Sequence, residues 1–172
     1  MDSTLARLSA IPNLTVSRDA PLSSYTRFAI GGPADLYAET ESVEAFIAAL
    51  AAARASGRDY MVMGGGTNLI VSDAGYRGIM LRYVGRRMLA AGTRVDCDAG
   101  AVLQDLVDFT IDRALAGLET LAGIPGSVGA AVYGNAGAYG HSISERVARV
   151  RFFDGERVRV IENVECEFHY RE

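Results

Sequence analysis

Apolar residues along this chain recur either at helical spacing or in alternation, and the two periods mark out its elements. Ser42 is placed as an N-cap, and Val43, Phe46, Ile47 and Leu50 then recur at helical spacing through an alanine-rich stretch. That stretch ends near Gly57, a residue suited to closing a helix. Asp35 to Glu39 alternates before it and Tyr60 to Met63 is an apolar run after it, so the pattern predicts a β-α-β unit. Gly31-Gly32-Pro33 is a turn signal ahead of the first of those strands. Residues 1–20 hold a short apolar-periodic segment around Leu5 and Leu8, then Pro12 and a predicted strand at Leu14 to Val16. Further strands are predicted at Gly78 to Tyr83 and Thr93 to Cys97. A helix is predicted from about Ala101 to Ala116, with Val102, Leu106, Phe109 and Leu115 on its apolar face and Gly117 closing it. Arg146 to Phe153 and Glu156 to Val160 read as strands joined by the hairpin pair Asp154-Gly155. The pattern predicts an α+β fold of two lobes, residues 1–82 and 83–172. The first is expected to hold a small parallel β-α-β sheet and the second a mostly antiparallel sheet with helices.

Two glycine-rich stretches interrupt this pattern. Between Gly123 and Gly140 the chain reads GIPGSVGAAVYGNAGAYG, with six glycines. The three-residue spacing breaks between Gly129 and Gly134 and no repeat continues on either side, which excludes collagen. Ile124, Val128, Val132, Tyr133 and Tyr139 are not linker residues, and Pro125 stiffens the segment. Two readings remain: backbone pressed against a large flat ligand, or a close-packed structural turn. The second stretch, Gly64-Gly65-Gly66-Thr67-Asn68, follows a predicted strand, but Leu69 stands where a dinucleotide fingerprint needs its last glycine. Leu69-Ile70-Val71 is expected to feed another strand and not a helix N-terminus. The loop is then either an amide nest for an anion, with the Thr67 hydroxyl and Asn68 amide as further donors, or a simple tight turn.

Composition narrows the chemistry. The 172 residues are 49% hydrophobic, enough for one domain or two small lobes with a shared core. The net charge is −4 and no basic run exceeds Arg86-Arg87, so nucleic acid is not an expected partner. All 17 basic residues are arginine, which excludes a phosphate-loop lysine, a pyridoxal Schiff base and a lysine general base. MDSTLARLSAIPNL has no apolar core of a signal peptide and no run approaches a membrane span, so a soluble cytoplasmic protein with no membrane partner is expected. Cys97 and Cys166 signal neither a disulfide framework nor a zinc ribbon and are expected to be reduced, buried thiols.

Other motifs carry less. Pro125-Gly126-Ser127-Val128-Gly129 is not a nucleophile elbow, since proline occupies the first glycine's place, and Ser127 is expected to act as a hydrogen-bond donor. His141 and Glu145, four residues apart, are expected to share a helix face, and two histidines in the whole chain imply no metal site. Arg171, after His169 and Tyr170, offers a donor fork suited to carboxylate or phosphate.

Five segments in order and spacing, TRFAIGG (26–32), MGGGTNL (63–69), GLETLAGIPGSVG (117–129), NAGAYG (135–140) and CEFHYR (166–171), resemble the UDP-N-acetylenolpyruvoylglucosamine reductase family from about residue 20 onward. The resemblance implies a two-lobed FAD-binding domain of the vanillyl-alcohol oxidase type, with FAD held non-covalently and NADPH as co-substrate. It places Gly64, Gly65, Gly66, Thr67 and Asn68 at the FAD pyrophosphate and makes Leu69 a further cofactor-binding residue. Ile124, Pro125, Gly126, Ser127, Gly129, Asn135, Gly137 and Ala138 would line the flavin. Arg171 would be the catalytic group that polarises the substrate carboxylate, with Tyr170 beside it in substrate binding. The implied reaction is reduction of the enolpyruvyl group of UDP-N-acetylglucosamine enolpyruvate in peptidoglycan synthesis. Ala130 and Gly134 depart from the residues the family often has there. The family's further substrate domain, with a Ser proton donor and a Glu, is expected to be absent from this chain, so its turnover is expected to be incomplete. Two other readings stand beside this one: a non-catalytic flavin-fold module, and another flavin oxidoreductase of the same superfamily.

Overall fold

Among the described residues, 3–169 of this computed structural model, the chain divides between Arg86 and Arg87 into two compact units. The first contains α1 (Ser3–Ser9), β1 (Thr15–Pro21), β2 (Pro33–Thr40), α2 (Val43–Ala55), β3 (Tyr60–Met63) and β4 (Tyr76–Tyr83). Its sheet has the order β1-β2-β4-β3. Strand β4 runs parallel to both neighbours, pairing Ile79 with Leu36 on one side and with Tyr60 on the other. It therefore needs apolar residues on both faces, and Ile79, Met80 and Leu81 are all fully buried. The sheet is mixed where a parallel one was expected, because β1 adds to β2 in antiparallel register from Thr15 opposite Glu39 to Pro21 opposite Pro33.

Helix α2 starts where its cap signal stands: the Ser42 hydroxyl oxygen accepts from the Ala45 N–H at 3.1 Å, and Gly57 follows the helix at φ 68°. Its buried stripe differs from expectation. Ala45, Ala49 and Ala53 face inward with Leu50, while Phe46 sits at the flank, edge-on to Tyr83 with ring centroids 5.8 Å apart. Alanines at i, i+4 and i+8 leave no side chain to hold the helix away from the sheet, so the small residues pack centrally and the large ones border them.

The second unit contains β5 (Met88–Ala91), β6 (Arg94–Cys97), α3 (Leu103–Ile111), α4 (Val128–Tyr133), β7 (Gly137–Ala138), β8 (His141–Ser142), β9 (Arg149–Phe153) and β10 (Val158–Glu162). Its strands are antiparallel, as three separate two-stranded ribbons, β5-β6, β7-β8 and β9-β10. The β9-β10 turn is organised by Asp154, whose Oδ1 accepts from the N–H groups of Glu156 and Arg157 at 2.9 Å. The core is Ala101, Leu103, Leu106, Val107, Leu121, Val128, Ala131 and Ile143.

Helix α3 is shorter than its apolar pattern predicts, and its buried face is Leu103, Leu106, Val107 and Thr110. Ala114 turns into the left-handed region at φ 55° and the Leu115 N–H returns to the Thr110 carbonyl at 2.9 Å, closing the helix before Gly117. A non-glycine residue at that closing position left no mark in the sequence. Phe109 is half-buried and carries the Arg113 guanidinium 3.6 Å above its ring.

Both cysteines are free and half-buried, not fully interior. Burial first, and the neighbouring Asp98 second, push the Cys97 thiol up to about 11. Alkylation of Cys97 in the folded protein is expected to reach half its limiting rate near that pH, well above the midpoint in denaturant, as followed by mass spectrometry of its peptide. Ser42→Ala is expected to lower the unfolding free energy by about 1 kcal/mol through loss of the cap, measured by urea denaturation.

Candidate functional site

In the first unit, β3 delivers the chain into Gly64–Asn68, and this loop is built against residues 25–33. Gly66 is buried at φ 64°, and a Cβ there would overlap the Tyr25 carbonyl oxygen. The Gly66 carbonyl accepts from the Arg27 N–H at 3.0 Å, and the Ser72 carbonyl accepts from Gly32 and Gly75 N–H groups at 2.8 Å. Beneath them, the Tyr25 ring stacks on buried Tyr37 with centroids 4.1 Å apart. Leu69 and Val71 pack onto the core group that includes Leu22, Tyr37 and Met80. The predicted strand over Leu69–Val71 does not form. Leu69 and Val71 anchor inward while Ile70 between them is exposed, and the chain is next tied down at the Ser72 carbonyl.

The amides of Gly65 and Asn68 donate to no acceptor among the described residues, and Asn68 is exposed. Unused N–H groups on a glycine loop suit an anion such as a diphosphate. Around the same loops Phe28, Ile30 and Ile70 are at least half exposed, and Arg27 is an exposed cation tied to Gly66 through its backbone. These four residues were missed in the sequence, where the only signal was their nearness to glycine pairs.

In the second unit the glycine segment is a helix start followed by a hairpin. Ser127 caps α4, its oxygen accepting from the Ala130 N–H at 3.4 Å, and it is buried at 6% exposure. The hydroxyl oxygen faces a helix terminus inside the protein as an acceptor, which leaves its proton for the donor role expected of it. The segment runs along residues 99–103, where Leu103 N–H donates to the Gly126 carbonyl and Val128 and Gly129 donate to the Ala101 and Ala99 carbonyls. Gly126 itself sits at φ 132°. A Cβ on Gly129 would stand 2.8 Å from Ala99 Cβ and 3.0 Å from its carbonyl oxygen, and one on Gly137 would overlap the His141 carbonyl oxygen. These two glycines therefore mark where the chain presses on itself.

Strands β7 and β8 are joined by Tyr139 and Gly140 at φ 55° and 83°, the geometry of a primed hairpin turn. Tyr139 and Tyr133 are over 90% exposed. Ile124 and Ala138 are partly buried and Pro125 is exposed, while Asn135 sits at φ 42°. His141 and Glu145 do meet, Nδ1 to Oε2 at 3.0 Å, but His141 is in β8 and Glu145 in a short 3-10 turn, not on one helix face. That contact, with the Ser142 N–H, holds the Glu145 carboxyl below its usual range. Tyr170 and Arg171 lie outside the described residues. No group of three or more metal-ligating side chains occurs among those described.

Unused amides on a glycine loop suit an anionic ligand, and the family comparison names a nucleotide cofactor. A family model described as an FAD binding domain matches residues 34–160. The chain belongs to that FAD-binding family. It is 67% identical over 166 residues to the UDP-N-acetylenolpyruvoylglucosamine reductase of Solibacter usitatus (strain Ellin6076), covering 96% of this chain and 53% of that protein. The enzyme of the same name from Streptomyces avermitilis is 41% identical over 155 residues, covering 89% of this chain and 43% of that protein. The crystal structure of UDP-N-acetylenolpyruvylglucosamine reductase from Thermus caldophilus superimposes with a TM-score of 0.73 at 31% identity, covering 92% of this chain and 56% of that one. Aclacinomycin oxidoreductase, at 18% identity, a TM-score of 0.60 and coverage of 86% and 33%, shares the fold. The chain spans about half the length of the curated relatives it matches.

The packing of Gly129 has a measurable consequence in the absence of any ligand. Gly129→Ala is expected to lower the melting temperature of the FAD-free protein, at a cost of roughly 1–3 kcal/mol from overpacking against Ala99. Calorimetry without added FAD checks it; an unchanged midpoint would mean that Ala99 yields.

Proposed function

We propose that this chain is the FAD-binding portion of a UDP-N-acetylenolpyruvoylglucosamine reductase, an NADPH-dependent flavoprotein that produces UDP-N-acetylmuramate for peptidoglycan synthesis. The observation that carries the proposal is the pair of unused amides at Gly65 and Asn68 on a loop whose glycine conformations are built into the first unit. Together with Gly64, Gly66, Thr67 and Leu69 they form the pyrophosphate site of the proposal, in which N–H donors meet phosphate oxygens without a lysine. In the second unit, Ile124, Pro125, Gly126 and the backbone of Asn135–Ala138 present main chain and small side chains to the flavin. Ser127 and Gly129 contribute by holding that backbone, one as the cap of α4 and the other by its approach to Ala99.

FAD, when bound, supplies the hydride chemistry between NADPH and the enolpyruvyl double bond. The protein groups bind and orient. Arg171 is the proposed partner of the substrate carboxylate, with Tyr170 beside it, and stabilises negative charge developing there. FAD is attached non-covalently in this proposal. The same proposal places the protein in the cytoplasm, in cell-wall biogenesis and through it in cell shape and division. Among the described residues no helix is long and apolar enough to cross a membrane.

A second reading, a non-catalytic module that keeps the fold without flavin, is favoured by one observation: Gly66 and Gly137 are explained by contact with the protein's own backbone and Gly129 by contact with Ala99. Titration with FAD separates the two. Bound flavin is expected to shift its absorption and lose fluorescence with a dissociation constant of about 10 μM or tighter, and to be reduced by NADPH. Absence of binding at a tenfold higher FAD concentration would overturn the cofactor assignment.

A further inference from the structure

Asn135 was expected to touch the flavin, but its side-chain amide already has partners at both ends. Its Nδ2 donates to the His169 carbonyl at 3.1 Å and its Oδ1 accepts from the Ser144 N–H at 3.3 Å. Ser144 is itself a junction: its carbonyl accepts from Asn163 Nδ2 at 2.8 Å, and that same nitrogen reaches the Val147 carbonyl at 2.7 Å. Two asparagine amides therefore tie three stretches of the second unit together, the glycine segment at 135, the turn at 142–147 and the chain at 163–169. The last stretch reverses sharply at Glu167, which lies in the left-handed region at φ 47°. His169 is held immediately after this reversal, and Tyr170 and Arg171 are the next residues in the sequence.

We propose that Asn135 is a positioning residue: its amide fixes the His169 carbonyl to the glycine segment and so sets the point from which the chain enters Tyr170 and Arg171. The residue type follows from three requirements. The backbone at φ 42° favours Gly, Asn or Asp. The Ser144 N–H needs an acceptor and the His169 carbonyl needs a donor. Asp supplies no donor and Gly supplies neither group, so Asn alone of the three meets all three requirements. The functional part of the inference rests on the reading of Arg171 as the substrate-carboxylate group. The clamp itself rests only on the two hydrogen bonds.

Asn135→Asp keeps size and backbone conformation and loses the donor, while Asn135→Gly keeps the backbone conformation and loses the amide. Each variant would be compared with the parent chain in three measurements. Amide hydrogen exchange at Ser144, whose N–H the Asn135 oxygen holds, is expected to speed up about fivefold to tenfold in Asn135→Gly, the population shift that loss of one hydrogen bond allows. The FAD dissociation constant is measured alongside, because the backbone at 135 belongs to the proposed flavin surface, and it is expected to change by less than the half-saturation for the UDP-sugar does. The concentration of enolpyruvyl UDP-N-acetylglucosamine that half-saturates its perturbation of the bound-flavin spectrum is expected to rise about tenfold. Unchanged exchange in both variants would overturn the clamp. A tenfold loss of FAD affinity with unchanged exchange would instead make Asn135 a flavin ligand. Faster exchange with an unchanged half-saturation would overturn the positioning role. If the parent chain binds FAD but its spectrum does not respond to the UDP-sugar, the positioning role falls for this chain while the FAD-binding reading stands, and exchange alone decides the clamp.

Discussion

The close approach of main chain to main chain, with no room for a Cβ between, is the constraint on which both glycine-rich regions depend. At Gly66 the neighbour is the Tyr25 carbonyl, at Gly32 the Asp73 carbonyl and at Gly75 the Pro33 carbonyl. These three contacts bring residues 25–33 against residues 66–75, and the Gly32 and Gly75 amides then converge on one Ser72 carbonyl. Such a structure leaves few conformations open to the loop. It also leaves the Gly65 and Asn68 amides without protein acceptors, which is the property an anion site requires. Packing and the proposed binding are thus linked, because the glycine contacts that fix the loop leave the amides near Gly66 without protein acceptors.

The second unit uses the same constraint with different surroundings. Gly129 approaches Ala99 and Gly137 approaches His141, so the segment is held by its own unit before any ligand is considered. Helix α4, six residues long, is too short to persist alone and depends on the Ser127 cap and on Val128 and Ala131 in the core. The polar connections converge nearby: Glu145 binds His141 and the Ser142 N–H, and the Asn135 and Asn163 amides meet at Ser144. Apolar burial sets where the segment lies, and directional hydrogen bonds set how its neighbours leave it.

Several elements were legible in the sequence because their signals are local. The Ser42 cap, the β3 run at Tyr60–Met63 and the Asp154-Gly155 hairpin all depend on residues a few positions apart. Elements whose stability comes from distant partners were misread. Leu69–Val71 has the composition of a strand yet forms none, since the ladder position beside β4 is already occupied by β3. Helix α4 was hidden among glycines, and the closure of α3 at Ala114 has no glycine to announce it. Ser127 and Asn135 show the same limit at the candidate site. Nothing in their residue types announced that their hydrogen bonds run to Ala130, Ser144 and His169 within the protein.

By itself, then, the sequence determined the α+β class, the family and the two glycine-rich segments, because helix and strand periods, turn chemistry and motif spacing are properties of neighbouring residues. Only the tertiary structure decided what the glycines face, which amides remain without acceptors and which polar side chains serve as clamps. A carbonyl that blocks a Cβ or accepts an amide proton can lie tens of residues away along the chain. Its position is set when the core packs and not by the residues on either side of it.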